Sequence, residues 1–417
     1  MAGARRRVVV SGLGLASPLG HDVQQAFAEL MAGRSAIRLN VVGDEPHSVT
    51  IASAACGTVD AAPLLGRGRA ATLDRVSQLA VLAAAAAWTD AGLDTLGEEE
   101  RERSSVLLGT GVGGAQTTEK GYRDLFLRQR SRLSPLTVVQ CMNNAAAAHV
   151  AQLFGLGGPC YTYSVACASA AAAIADGARR IRAGDCDVAV TGGSEAALPY
   201  GVVKAWLSMQ VLAQAADDAA ASASCRPFAV DRGGLVLGEG SAMLVLEERE
   251  HALRRGARIY AELAGAGSSC DHGHITAPLA AGQLRALRAA LRDAQANNDE
   301  VGYVNAHGTA TPEGDPVEID ALRQHFGDAA TRLAVSATKS MHGHLMGASG
   351  AIEALITVMA VYKGMIPPTA HRSELDPACA GVDHVLGEGR EVGRLPLALS
   401  NSFAFGGSNV VLAFRSA

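Results

Sequence analysis

The sequence predicts an α/β protein built from two similar halves, and three observations carry that expectation. Short β-branched runs alternate with long alanine- and leucine-rich stretches, the pattern of buried strands covered by helices. Several of the runs pass straight into glycine or a polar residue, which puts chemistry at the carboxyl ends of strands. Two segments, "VACASAAAAIADGARRIRAGDCDVAV" from residue 165 and "KSMHGHLMGASGAIEALITVMAVYKG" from residue 339, share a polar lead-in followed by a small-residue helix.

In chain order the expected strands are "RRVVVSGLG", "SSVLLGTG", "CDVAVTGG" and "SAMLVLEE", then "VGYVNAHG", "LAVSATKS", "LALSNSFAFGG" and "NVVLAFR". The opening "MAGARRRVVVSGLGLASPLG" resembles a secretion signal, but its apolar run is only "VVV" before Ser11 and Gly12, so it reads as a buried first strand. The seam falls in the charged stretch "EEREHALRRGARIYAEL", dividing the chain into 1–255 and 256–417. "LAQAADDAAASASC", 212–225, reads as a surface loop.

Composition narrows the function classes. With 48% hydrophobic and 18% charged residues the 417-residue chain is a compact globular protein. Its net charge of −5, with no basic stripe, argues against nucleic acid as a ligand. The apolar run Leu79–Trp88 falls well short of the ~18 residues a membrane helix needs, so no membrane span is expected. Eight cysteines without a CxxC pair point to reduced thiols and a cytoplasmic protein.

One of those cysteines stands out. Cys167, in "TYSVACASAAAAIADG", precedes a run of small helix formers. A helix start offers free N–H groups and a positive dipole end, which favour a thiolate. The opposite reading is a buried cysteine filling space beside alanines. "GTGVGG", 109–114, fits G-x-G-x-x-G after a strand, yet no compact second strand with an acidic end follows, so a dinucleotide site is disfavoured. "CDHGH" and "HGH" hold ligand-type residues without metal-site spacing, and no metal is expected. "NAHGTATPEGD" puts His307 directly after a strand-like run, where a catalytic histidine is well placed. Papain-type chemistry is set aside because "ACASA" lacks that family's surrounding motif.

Seven ordered blocks then carry a resemblance: "RRVVVSGLGLASPLG", "ACAS", "RPFAVDRGGLVLGEG", "HITAP", "NAHGTATPEGD", "TKSMHGHLMGASGAIEA" and "SNSFAFGGSN". The chain resembles an elongating β-ketoacyl-acyl-carrier-protein synthase of the thiolase-like superfamily, nearly end to end. The resemblance implies a five-layered αβαβα fold from two duplicated halves. It implies decarboxylative Claisen condensation of an acyl group on Cys167 with malonyl carrier protein, assisted by His307 and His344. Lys339, Glu353, Glu318 and Asp271 match supporting polar positions. Thr309, Thr311, Thr276, Val112 and Phe403 match substrate-binding ones. Phe405 matches a gating phenylalanine whose N–H joins that of Cys167 in an oxyanion hole. No bound cofactor is implied, since phosphopantetheine arrives on the acyl carrier protein.

The implied partners are that carrier protein, acyl and malonyl thioesters, and a second subunit, either another copy or a ketosynthase-like chain without the cysteine. Arg67, Arg69 and Lys204 are candidates for receiving the acidic carrier. Five positions depart from the family pattern: Ala170, Ala229, Gly233, His342 and Ala404. They favour a polyketide or polyene pathway over fatty-acid synthesis. Two alternatives share the fold: an acyltransferase or decarboxylase, and a non-catalytic chain-length subunit, the latter opposed by Cys167.

Overall fold

The computed structural model describes residues 5–371 and 374–417. The long strands of the first half are, in chain order, Val8–Ala16, Ser105–Gly109, Cys160–Tyr163, Val188–Ala196 and Leu237–Glu248. They lie side by side in the order third, second, fourth, fifth, first. The third, second and fourth run parallel, and the fifth and first join antiparallel.

The second half uses Ala261–Cys270, Val301–Asn305, Ala334–Ser336, Leu397–Ala404 and Ser408–Arg415. It repeats both the order and the strand senses. The two sheets meet where Val9 pairs with Glu262 and Val10 with Ala261.

Helices occupy equivalent places in the two halves. Ser169–Ala183 and Ser349–Lys363 each connect third to fourth strand, and they pack on each other between the sheets. Arg75–Asp90 with Ala145–Phe154 covers the outer side of the first sheet, and Ala280–Ala294 with Gly314–Phe326 that of the second. The result is the five-layered αβαβα arrangement. The run Leu79–Trp88 lies inside the first outer helix, mostly buried. Among the described residues no helix is long and apolar enough to cross a membrane.

The duplication reaches individual residues. A Cβ on Gly12 would lie 2.3 Å from the Ala87 carbonyl oxygen, and one on Gly14 only 1.9 Å from that of Ala83. In the second half Gly265 and Gly267 stand at 2.4 and 2.2 Å from the oxygens of Ala290 and Ala286. Each half thus has a G-x-G first strand against which an alanine-faced helix lies at backbone contact. Gly14→Ala should push that helix away and cost about 1–3 kcal/mol, read as a lowered denaturant midpoint.

The eight expected strands are present. Of the ten strands that form the two duplicated sheets, two had no clear signal. Cys160–Tyr163 has four residues and no apolar run, and Ala261–Cys270 is rich in Ala, Gly and Ser because a helix presses on it. The expected loop at 212–225 is corrected: Asp218–Ser222 is a short helix capped by Asp217, and Ala221 and Cys225 are buried. It packs on the hairpin Arg38–Asp44/His47–Ala54.

Candidate active site

Cys167 sits between the third strand and the first central helix, one residue before the N-cap Ala168. Ala166 takes a left-handed φ of 46° to make that turn, a region few side-chain-bearing residues enter. Ser169 pins it, donating to the Ala166 carbonyl at 2.6 Å and accepting from the Val165 N–H at 2.8 Å. The sulfur is buried, and the backbone N–H groups of Phe405 and of Cys167 itself favour its anion.

The second half delivers both histidines to this point. His307 follows the strand Val301–Asn305, and His344 precedes the second central helix. One ligand-type atom from each of Cys167, His307 and His344 lies within 4.8 Å of the others, and the imidazole centroids are 5.5 Å apart. His344 Nε2 is 3.1 Å from the Cys167 sulfur.

Hydrogen bonds fix the tautomers. His344 Nδ1 accepts from the Met346 N–H at 3.2 Å, with Ser349 Oγ at 2.7 Å. Its proton is therefore on Nε2, facing the sulfur. His307 Nδ1 lies 3.2 Å from the ammonium of Lys339, which has only protons to offer, so His307 also carries its proton on Nε2. Burial and the Lys339 charge hold both imidazoles well below their ordinary pKa, so both are neutral donors at neutral pH.

Lys339 is itself wholly buried, paired with Glu353 and donating to the His307 carbonyl at 2.7 Å. Burial pushes the Glu353 carboxyl up to about 7, against the pull of Lys339. Glu318 accepts from the N–H groups of His307 and Gly308 and from Asn401 Nδ2, each at 2.9 Å, which anchors the His307 loop. The Cys-His-His trio has metal-ligand chemistry, but the Lys339 charge beside His307 repels a second cation.

Burial raises the Cys167 thiol to about 11, outweighing Lys339 and the two N–H groups. The helix end alone thus does not make the resting sulfur a thiolate. Its donor set stabilises the anion once the proton leaves.

A cavity of about 490 Å³ opens over the trio. Thr276, Thr309, Thr311, Asp271, Glu318, Phe403 and Phe405 line it. Thr309 and Thr311 share a hydrogen bond at 3.1 Å, and the Phe403 ring stands 6.2 Å from that of His307. Asp271 accepts from Asn409 at 2.8 Å and from the Leu279 N–H at 2.9 Å, and its own N–H meets the Gly407 carbonyl. Lys339 and Glu353 stand behind His307, off the cavity wall. Val112 is not brought to this cavity. It faces a separate apolar groove with Tyr122, Phe126 and Tyr200.

Sequence reasoning missed Trp206, which stacks on Phe405 at 5.9 Å and helps line the cavity. As one of only two tryptophans it was visible, but no motif linked it to Phe405. It also missed Glu195, whose role depends on long-range contacts.

The five departures take distinct places. Ala170 and Ala229 are buried, while Gly233 lines the cavity with open space where a side chain would stand. Ala404 is an extended strand residue paired with Ser408, and the turn beyond it is tied by the Gly406 N–H to the Ile275 carbonyl at 2.7 Å. Arg67 and Lys204 are exposed; Arg69 is half-buried.

His342 is fully buried, bonded through Nδ1 to the Gly343 carbonyl at 2.8 Å and through Nε2 to Thr338 Oγ1 at 3.1 Å. Burial drives it down to about 3. A folded pKa below the unfolded ~6.5 gives stability that is present above ~6.5 and lost as pH falls toward the folded value. Relative to His342→Thr, the wild type should therefore lose about 2 kcal/mol between pH 6.5 and 5, measured by urea denaturation at the two pH values.

A duplicated αβαβα core with cysteine and two histidines gathered at its central helices is the architecture of the thiolase-like enzymes. Within that class the chain belongs to the β-ketoacyl synthase family. Residues 5–252 match its "Beta-ketoacyl synthase, N-terminal domain" and 260–373 its "Beta-ketoacyl synthase, C-terminal domain". The chain is 42% identical over 416 residues to nodulation protein E of Rhizobium sp. (strain N33), covering 98% of this chain and 99% of the relative. It is 40% identical over 413 residues to 3-oxoacyl-[acyl-carrier-protein] synthase 2 of Synechocystis sp., covering 99% and 98%. Among solved structures it is similar to the ishigamide ketosynthase/chain length factor, with TM-score 0.90, 32% identity and coverage of 99% and 100%.

Proposed function

We propose that the protein is a β-ketoacyl-acyl-carrier-protein synthase that loads an acyl group on Cys167 and condenses it with malonyl carrier protein. The observation that carries this reading is the pair of neutral imidazoles whose Nε2–H groups converge beside a buried thiol. The Cys167 sulfur attacks the acyl thioester carbon, the carrier sulfur departs with the proton, and the N–H groups of Cys167 and Phe405 hold the oxyanion. A well-placed oxyanion donor contributes about 10²–10³ in rate. Malonyl thioester then loses carbon dioxide. His307 and His344 donate to the enolate oxygen, and the enolate carbon attacks the Cys167 acyl carbon, which releases the cysteine sulfur.

In this assignment 1–255 supplies the nucleophile and 256–417 the histidines. Thr309 and Thr311 line the path of the phosphopantetheine arm, so no cofactor is held by the enzyme itself. The exposed apolar groove containing Val112 is assigned to a second subunit, another copy or a ketosynthase-like partner. Similarity to a ketosynthase/chain length factor supports a polyketide-type pathway. The test is intact-protein mass spectrometry with a panel of acyl carrier-protein thioesters, with and without malonyl carrier protein. Acyl groups retained on the enzyme and discharged only by malonyl carrier protein are expected. Retention that malonyl carrier protein cannot discharge would reduce the function to acyl transfer.

A further inference from the structure

The loop Gly109–Gly114 matches a phosphate-cradle pattern, and such loops turn their N–H groups toward an anion. Here the acceptor is a carboxyl group of the protein itself. Glu195, fully buried in the strand Val188–Ala196, accepts from the Gly111 N–H at 2.5 Å, the Val112 N–H at 3.2 Å and Thr110 Oγ1 at 3.2 Å. It also accepts from the Gly347 N–H at 3.0 Å. One carboxylate from the first half thus joins the glycine loop to the turn that follows His344.

That turn is strained. Met346 has φ of 47°, and its N–H is the donor that makes His344 Nδ1 an acceptor. A side-chain-bearing residue stays in the left-handed region only where its surroundings hold it. Gly347, next in sequence, lies so close to the loop that a Cβ there would stand 2.3 Å from Gly111 N and 2.7 Å from Glu195 Oε2. We propose that Glu195 is a positioning residue for His344: by clamping Gly347 it holds the Met346 N–H on Nδ1 and keeps Nε2–H directed at the reacting thioester.

This inference rests on the condensing-enzyme reading, and two assays separate the two. In the first, carbon dioxide release from malonyl carrier protein is compared for wild type, Glu195→Gln, His344→Ala and the double variant. Misplacing a reacting group by an ångström costs up to about 10²-fold, so Glu195→Gln should lower kcat roughly 10- to 100-fold with little change in KM. In the His344→Ala background it should cost nothing further, because both substitutions act through one imidazole.

The second assay needs no carrier protein. Iodoacetamide alkylation of Cys167 should slow about fivefold in Glu195→Gln, the worth of one hydrogen bond, and be unchanged by it in His344→Ala. Should Glu195→Gln fail to fold, Gly347→Ala, which forces the same seam apart, is expected to give the same pattern. Unchanged rates, or equal losses in both backgrounds, overturn the clamp. Absence of carbon dioxide release by the wild type would overturn the condensing reading, and the alkylation cycle would then decide the clamp alone.

Discussion

Cys167→Ala should abolish covalent loading by acyl carrier-protein thioesters, a loss on the order of 10⁶ in line with removal of other enzymic nucleophiles. The other seven cysteines cannot substitute, for physical reasons. Cys56, Cys186, Cys225 and Cys379 are buried, and burial raises each thiol, Cys225 and Cys379 to about 12. Cys160 and Cys270 are exposed and Cys141 is partly so, but none faces the two imidazoles. Among the described residues, only Cys167 combines an imidazole Nε2 at its sulfur with two backbone N–H groups that favour its anion. Because His307 and His344 remain, Cys167→Ala should still release carbon dioxide from malonyl carrier protein. The check is peptide mapping after acyl transfer, together with a decarboxylation assay. Label on Cys160, or label undiminished in Cys167→Ala, would remove Cys167 from the role.

Much of this site was legible in the sequence because its polar residues cluster where strands end. "VGYVNAHG" placed His307 at a carboxyl end from local pattern alone, and "VACASA" placed Cys167 near a helix start. The chemistry of that start was not legible. Its N-cap is Ala168, so Cys167 lies just outside the helix, and the groups that face the thiol, His344 and Phe405, come from the other half of the chain.

The same limit explains Val112 and Glu195. The loop "GTGVGG" fitted a glycine-rich motif whose dinucleotide reading was disfavoured; its N–H groups meet the carboxyl of Glu195 on a neighbouring strand, and Val112 faces another groove. Duplication was legible only in the two central helices. The paired G-x-G strands show it more sharply, yet "GLG" and "GAG" are too short to be matched without the helices that press on them.

Lys339→Met should damage stability and catalysis by separate routes, and a second substitution should divide them. The single variant leaves Glu353 buried without its cation. Breaking a buried pair typically costs about 3–5 kcal/mol. Glu353 is already raised to about 7 by burial, and one of its oxygens has no hydrogen-bond partner among the described residues. Without Lys339 it becomes neutral, which places the loss toward the lower end of that range. Adding Glu353→Leu removes the unpaired carboxyl, and apolar replacements of buried pairs are often neutral or stabilising, so the double variant should recover most of the lost melting temperature.

Decarboxylation should not recover. Lys339 is the group that donates to His307 Nδ1, and among the described residues no other group at that atom keeps the proton on Nε2. A ring of undefined tautomer loses its place as an enolate donor, worth about 10²-fold in carbon dioxide release. Melting curves and decarboxylation rates of both variants decide the matter. A double variant with restored stability and wild-type carbon dioxide release would mean that Lys339 serves only to neutralise Glu353, and that His307 holds its tautomer unaided.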